Sequence, residues 1–432
     1  MPASFLNRNL KDLDSIASAI AYAWFATVVK KLDTVPLIQT PRPDLSLRAE
    51  NLYAFSVSGF GDVSNDLKEL DVLCLDDLSG SSPFPSYKFS LVDHNRLGSY
   101  FTKDNPKATV VSVVDHHEDE NLYKDTADPR IITVPTGSCT SLVADLIHSQ
   151  SPTEVAIIPE LAALLICGIV IDTNCLKPGG KAEDPDRQAM AYLLPRSPFV
   201  PAFSTSTVIN PGTDFNDISI LKDLTDNLKT RKDDVSRLET RDLLRRDYKE
   251  DTLTPAWTKD AQIQVGLSSV PVGFGSWIPR DEDFYDAVEG WIRERRISAL
   301  AILTSFSDEK KSKGKDKEKS KGKGKEKSEG NDEGKSKGKD EKNSKGKHER
   351  QLLVVVADNE DLASKLFPAL EKNPELKLEE QSFEKFGAKK ATGGFGGVFQ
   401  AKAYKQGNEG ASRKVIAPII KQAVEESPSP DS

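Results

Sequence analysis

Two of the chain's five histidines are neighbours, and they follow an aspartate. Asp115, His116 and His117 close the run Val110–Val114, VVSVV, and more acid follows in Glu118, Asp119 and Glu120. A valine-rich run reads as a core strand, but Asp-His-His does not continue a core. Paired titratable rings beside carboxylates mark a place where protons, metals or anions are handled. Further carboxylates stand at other chain breaks. Asp12 and Asp14 open a helical pattern, Asp93 ends the run in LVDHN, and Asp172 ends the apolar run in GIVIDTN. Each has a plain alternative: Asp12, Asp14 and Asp172 suit helix caps. Taken together, carboxylates plus imidazole suit hard or borderline divalent cations such as Mn, Mg, Co or Zn. Two such ions about 3.5–4 Å apart clamp the attacking and leaving oxygens of a phosphoryl transfer. Ser138 and Thr140, in TGSCTS, open another helix and read either as caps or as phosphate contacts.

Positioning these groups takes a sheet. Residues 12–194 alternate short apolar runs with helical patterns. Strands are expected at 70–78, 88–95, 108–117 and 131–137. Helices are expected at 12–32, 140–150 and 153–173. Such alternation predicts a parallel sheet with both faces covered. Functional groups then gather beyond the C-terminal strand ends, where Asp93 and Asp115–His117 fall. A low-pattern, Pro-containing stretch near 195–211 reads as a linker. A long charged helical region follows over 217–250, and apolar runs at 297–306 and 351–358 read as strands of a second sheet. The domains are therefore expected at 1–200 and 212–425. Between the two later strands, 307–350 is nearly all Lys, Glu, Asp, Gly and Ser. That composition buries too little apolar surface to order the chain and predicts a disordered insert.

Bulk properties narrow the class. A chain of 432 residues has room for two domains with full cores. Its net charge of -8 argues against nucleic acid or an anionic membrane as partner. The four cysteines, Cys74, Cys139, Cys167 and Cys175, have no CxxC spacing, so neither a disulfide framework nor a zinc site is expected. That pattern suits a reducing cytoplasm. The run Leu161–Ile171 is shorter than the ~20 residues a membrane helix needs, and no signal peptide is read at the N-terminus.

The ordered series DLDS, LVDHN, VVDHHEDE and VIDT resembles the four motifs of the DHH phosphoesterase superfamily. Manganese-dependent family II pyrophosphatases, fungal exopolyphosphatases and prune-type proteins belong to it. The downstream part resembles the DHHA2 type, and QGNEGASRKVIAPIIK (Gln406–Lys421) is similar to its closing Ser-Arg-Lys motif. DLDSIASAIAYAW, PRPDLSLRAEN and LDVLCLDDL look most like the fungal exopolyphosphatases.

The resemblance implies two α/β domains with the active site in a cleft between them. It implies Asp12, Asp14, Asp93, His116 and Asp172 as metal ligands, Asp93 bridging two divalent cations (Mn2+ or Mg2+, with Co2+ also admitted). Asp115 orients a histidine, His117 faces phosphate, and His94 supports the site. Arg413 and Lys414 hold phosphate oxygens, with Lys249 as a further contact. The implied activity is an exopolyphosphatase, a monomer acting on inorganic polyphosphate in the cytoplasm. The alternatives are a pyrophosphatase or short-chain nucleotide phosphohydrolase, and a polyphosphate-binding protein of impaired activity. One departure stands out. The family carries His or Asn four residues before the first motif aspartate, after an apolar strand; here that place is Arg8. A shortened first strand and a missing ligand are the expectation.

Overall fold

The structure, a computed structural model, describes residues 3–5, 12–61, 72–81, 83–200, 209–210, 212–258, 261–307, 348–386 and 394–426. Arg8 and residues 308–347, most of the expected insert, lie outside them. The chain divides into two compact units, Met1–Leu238 and Glu239–Ser432.

The first unit runs β1 (Ala3–Phe5), α1 (Leu13–Trp24), β2 (Thr34–Val35), β3 (Leu37–Ile38), α2 (Ala49–Ser58), β4 (Leu73–Cys74), β5 (Lys88–Val92), α3 (Ser99–Thr102), β6 (Thr109–Asp115) and β7 (Arg130–Ile132). Four helices follow: α4 (Cys139–Gln150), α5 (Pro159–Thr173), α6 (Asp184–Leu193) and α7 (Ser219–Asp233). The main sheet has the order β2-β1-β5-β6-β7, and all its pairings are parallel. The first strand is only three residues long, yet it pairs with both β2 and β5.

Alternation along the strands feeds two cores. Val92 and Val114 enter a large one with α1, α2, α4, α5 and α7; Leu91 and Val113 enter a smaller one with Phe84, Phe89 and Phe101. The apolar run Leu161–Ile171 is explained by α5, which is buried on every side, as expected of a helix without a polar face.

Local chemistry sets the element ends. Asp12 caps α1, its carboxylate accepting from the Ser15 amide at 3.1 Å. Pro159 starts α5, where its missing N–H costs nothing, so residues 153–158 are not helical as expected. Asn174, in the left-handed region at φ 55°, ends it.

The unit boundary falls after the expected linker. Leu221, Leu224 and Leu228 of α7 are buried in the first unit's large core, so this helix belongs there despite its charged surface. The charged stretch is also not one helix. It breaks at 234–239, resumes as α8 (Thr240–Arg246), and turns into strand β8 (Tyr248–Leu253), which carries Lys249. Likewise the described part of 70–78, residues 72–78, yields β4, paired with β3 outside the main sheet, and then a 3-10 turn at Leu75–Leu78.

In the second unit, β8 is followed by β9 (Ile263–Val270), α9 (Phe274–Trp277), α10 (Phe284–Arg295), β10 (Ala299–Ser307), β11 (His348–Ala357), α11 (Glu360–Lys372), β12 (Leu378–Gln381), β13 (Phe399–Gln406) and α12 (Arg413–Glu425). The sheet order is β12-β13-β11-β10-β9-β8; β9 and β10 are parallel, the other neighbours antiparallel. Antiparallel β10 and β11 flank residues 308–347, with Ser307 opposite His348. All four cysteines are free and buried, and no helix of the described residues is long and apolar enough to cross a membrane.

Candidate metal centre and phosphate-binding groups

Val92 of β5 pairs with Val114 of β6, so the two strands end together and deliver Asp93 and Asp115 side by side. Asp93 adopts φ 62°, a left-handed conformation that Asp tolerates better than most residues. That turn holds its carboxylate in a buried place, where Ser15 of α1 donates a hydrogen bond to Oδ2. His116 Nε2 lies 3.1 Å from Asp93 Oδ1 and 3.7 Å from Asp14 Oδ2. The other ring nitrogen of His116, Nδ1, is 3.1 Å from the Thr136 carbonyl. A carbonyl only accepts, so Nδ1 carries a proton; Nε2 faces the carboxylates, donating to them while protonated and offering its lone pair once a cation takes that proton's place.

His117 behaves differently from its neighbour. Its side chain is half exposed, and Nδ1 meets Asp115 Oδ1 at 2.8 Å. Asp115 is fully buried, and the same oxygen also accepts from the amides of His116 (2.8 Å) and His117 (3.2 Å). Burial works to raise the Asp115 carboxyl, but its bonds with His117 and Asn95 outweigh that and hold it below the ordinary range. The two rings meet edge to face, 4.5 Å between centroids. His94 Nδ1 lies 3.1 Å from the Val92 carbonyl.

Asp14 and Asp172 complete the acidic group. Asp14 is buried and does more than face His116. Its carboxylate accepts from the amides of Cys139 (2.9 Å) and Thr140 (2.8 Å) and from Ser138 Oγ (2.7 Å). It therefore caps α4 from another helix, where an anion meets the free N–H groups of the first turn. Ser138 stands at the N-cap position of α4, as one reading expected, but its side chain makes no cap bond; Asp14 supplies the acceptors instead. Asp172 sits in the last turn of α5, with Lys181 Nζ 3.8 Å from its Oδ2.

The fit to a divalent cation can be judged from this donor set. Burial, then the charge of Asp14, pushes the Asp93 carboxyl up to about 7, with Asp12 adding to it. The same causes push Asp172 up to about 7. Burial lowers His116, yet Asp93 and Asp14 push it up to about 9. Four carboxylates and an imidazole thus act on one another in a poorly solvated place. Like charges at such a site are costly unless a cation compensates them. Oxygen donors with one imidazole nitrogen match Mn2+ or Mg2+ better than a soft metal. The residues fit. Asp93, His116 and His117 bring donor atoms within 4.8 Å of one another.

Sequence reasoning missed Asp186, which builds the neighbouring loop. This fully buried carboxylate accepts from the amides of Gly137 (2.8 Å), Ser138 (3.2 Å) and Glu183 (2.8 Å) and from Ser141 Oγ (2.6 Å). A Cβ at Gly137 would meet Asp186 Oδ2 at 2.6 Å and Thr173 Cγ2 at 2.6 Å. Gly137→Ala is expected to destabilise the protein by about 1–3 kcal/mol through this overpacking; urea denaturation measures it.

The expected phosphate contacts lie in the second unit. Ser412 caps α12, accepting from the Lys414 amide at 3.3 Å. The Arg413 guanidinium donates to the Asp247 carbonyl (3.1 Å) and to its carboxylate (2.9 Å). Lys414 is exposed in the first turn. Lys249 stands on β8, and desolvation followed by the charges of Arg413 and Lys414 holds its ammonium below the ordinary lysine range. Three cations thus crowd one place, with Asp247 and Asp251 as opposing charges.

Comparisons with known proteins agree with this layout. Residues 8–169 match the N-terminal domain of the DHH family, and residues 226–423 match the DHHA2 domain. The chain is 31% identical over 326 residues to a "Putative exopolyphosphatase" of Schizosaccharomyces pombe, covering 72% of this chain and 70% of that one. It is 26% identical over 300 residues to the mouse protein "Exopolyphosphatase PRUNE1", covering 68% of this chain and 58% of that one. In fold it is similar to a putative family II inorganic pyrophosphatase of Methanococcus jannaschii, with a TM-score of 0.52 at 17% identity, covering 98% of this chain and 99% of that one. Phosphoesterases of the DHH family depend on divalent metal. The chain belongs to the DHH family, with a DHHA2 domain as its second part.

Proposed function

We propose that this chain is a metal-dependent exopolyphosphatase, hydrolysing the terminal phosphoanhydride of inorganic polyphosphate to release orthophosphate. The observation that carries the reading is the pair of strand ends: buried Asp93 and His116 beside a half-exposed His117 braced by Asp115. Asp12, Asp14, Asp93, His116 and Asp172 would hold two divalent cations. When bound, such ions supply charge neutralisation and an activated water for in-line displacement at phosphorus.

The chain's own groups do the rest. His117 turns Nδ1 to Asp115, which leaves Nε2 to meet a phosphate oxygen. Arg413, Lys414 and Lys249 bind further phosphate oxygens, Arg413 with a planar fork and the lysines as point charges. Asp247 holds the fork in place. In this assignment the first unit carries the metal chemistry and the second the phosphate binding. Polyphosphate is favoured as substrate because the Schizosaccharomyces pombe relative carries the exopolyphosphatase name.

The test is an assay of phosphate release after stripping metal and adding back Mg2+, Mn2+ or Co2+. Release from long-chain polyphosphate that requires metal, with pyrophosphate left intact, is the expected result. Preferential cleavage of pyrophosphate would move the assignment to a pyrophosphatase. Binding of polyphosphate without turnover under any metal would mark an impaired enzyme, as Arg8 at the first motif would allow.

A further inference from the structure

Asn95 follows the second motif aspartate by two residues, and no role has so far attached to it. Its side chain is buried, and each of its polar atoms is used. Nδ2 donates to Asp115 Oδ2 at 2.6 Å and to the Glu118 carbonyl at 3.0 Å. Oδ1 accepts from the Glu120 amide at 3.0 Å. The Glu120 N–H can only donate and the Glu118 carbonyl can only accept, so the amide has one orientation, with its NH2 on Asp115.

This geometry divides the Asp115 carboxylate between two jobs. Oδ2 is taken by Asn95; Oδ1 serves His117 Nδ1 and the amides of His116 and His117. A carboxylate held at one oxygen cannot swing away from the ring that it faces with the other. Asn95 also ties the end of β5 to the chain that leaves β6, which fixes the distance between the two motifs. We propose that Asn95 is a positioning residue that locks the Asp115–His117 pair, and with it the ring orientation that keeps Nδ1 on Asp115 and turns His117 Nε2 outward. The inference rests on the reading of His117 as the phosphate-facing group.

The experiment uses the full chain labelled with 15N-histidine and loaded with Mg2+, which is diamagnetic. With five histidines, the ring nitrogens can be assigned individually. In the wild type, His117 is expected as a single form with Nδ1 protonated and bonded to Asp115. In Asn95→Ala and Asn95→Asp, the Nδ1–H signal is expected to weaken or split. On polyphosphate, kcat should fall about 10–100-fold, the usual cost of an outer partner of a site. KM and calorimetric Mg2+ affinity should stay at their wild-type values, because Asn95 touches Asp115, Glu118 and Glu120 and none of the proposed metal ligands. Asn95→Asp should be the worse of the two, since it sets a second carboxylate against Asp115.

A wild-type His117 whose Nδ1 carries no proton overturns the proposal whether or not the variants fold. So does a variant with a lowered melting temperature but unchanged ring signals and unchanged kcat per folded molecule, the mark of a purely structural residue. If the wild type hydrolyses no phosphoanhydride, the proposed function fails while the ring measurement still decides the role of Asn95.

Discussion

Asp93→Asn is expected to abolish metal-dependent phosphate release while leaving the fold intact. Asparagine is the appropriate replacement because residue 93 has φ 62°, where alanine would add backbone strain and confuse the result. Asparagine also keeps the volume and an oxygen for the Ser15 hydroxyl. What it removes is the negative charge 3.1 Å from His116 Nε2, in the place where burial and Asp14 already oppose ionisation. A group placed against such opposition has its use with a cation present. The fall in kcat is expected to be on the order of 10^3 or more, exceeding the roughly 10–100-fold cost of an outer partner. Calorimetry should show Mn2+ affinity reduced in parallel, and near-ultraviolet circular dichroism should be unchanged. Near-normal turnover with normal metal binding would remove Asp93 from the centre.

Asp186→Ala is expected to be the most destabilising single change in the first unit. It deletes an acceptor shared by three backbone amides and a hydroxyl, of which the Gly137 and Ser138 amides and the Ser141 hydroxyl are buried and the Glu183 amide part-buried. Each orphaned donor costs about 1–3 kcal/mol, and neighbouring losses are partly shared. A total of about 3–5 kcal/mol follows, as for other broken buried networks. For a unit of this size that lowers the melting temperature by on the order of 10 °C. Asp186→Asn keeps one acceptor and should recover part of the loss. A shift below ~2 °C in the alanine variant would show that water replaces the carboxylate.

The contrast between these two aspartates explains what could be read in the sequence. Asp93 was legible because it ends an apolar strand, and parallel sheets gather function at such ends. The same logic found Asp115, His116 and His117, and the structure brings them together beyond β5 and β6. Asp186 gave a weaker signal. It sits at the third position of α6, where a capping box with Glu183 explains an acid locally. Its contacts to 137–141 reach across more than forty residues and leave no pattern in the neighbouring sequence. The helical reading of 217–250 failed for another reason. High helix propensity and charge run on past Asp233, but pairing with β9 draws Tyr248–Leu253 into a strand, and tertiary pairing overrides propensity. The later unit boundary was hidden in the same way, because three leucines in a charged helix look like a surface stripe until the core that receives them is known.

Asp14 faces two masters, and that bears on how relatives of this chain are compared. It lies beside His116 Nε2, yet it also supplies the missing cap of α4 through two amides and a hydroxyl. A lineage that gave up catalysis would still be under selection to keep this carboxylate, since the helix end would otherwise stand open in the core. An aspartate at this position therefore testifies to folding before it testifies to chemistry. Asp93 and the exposed nitrogen of His117 lack that second duty to a helix end, and they are the positions where a lapse of activity should first be written.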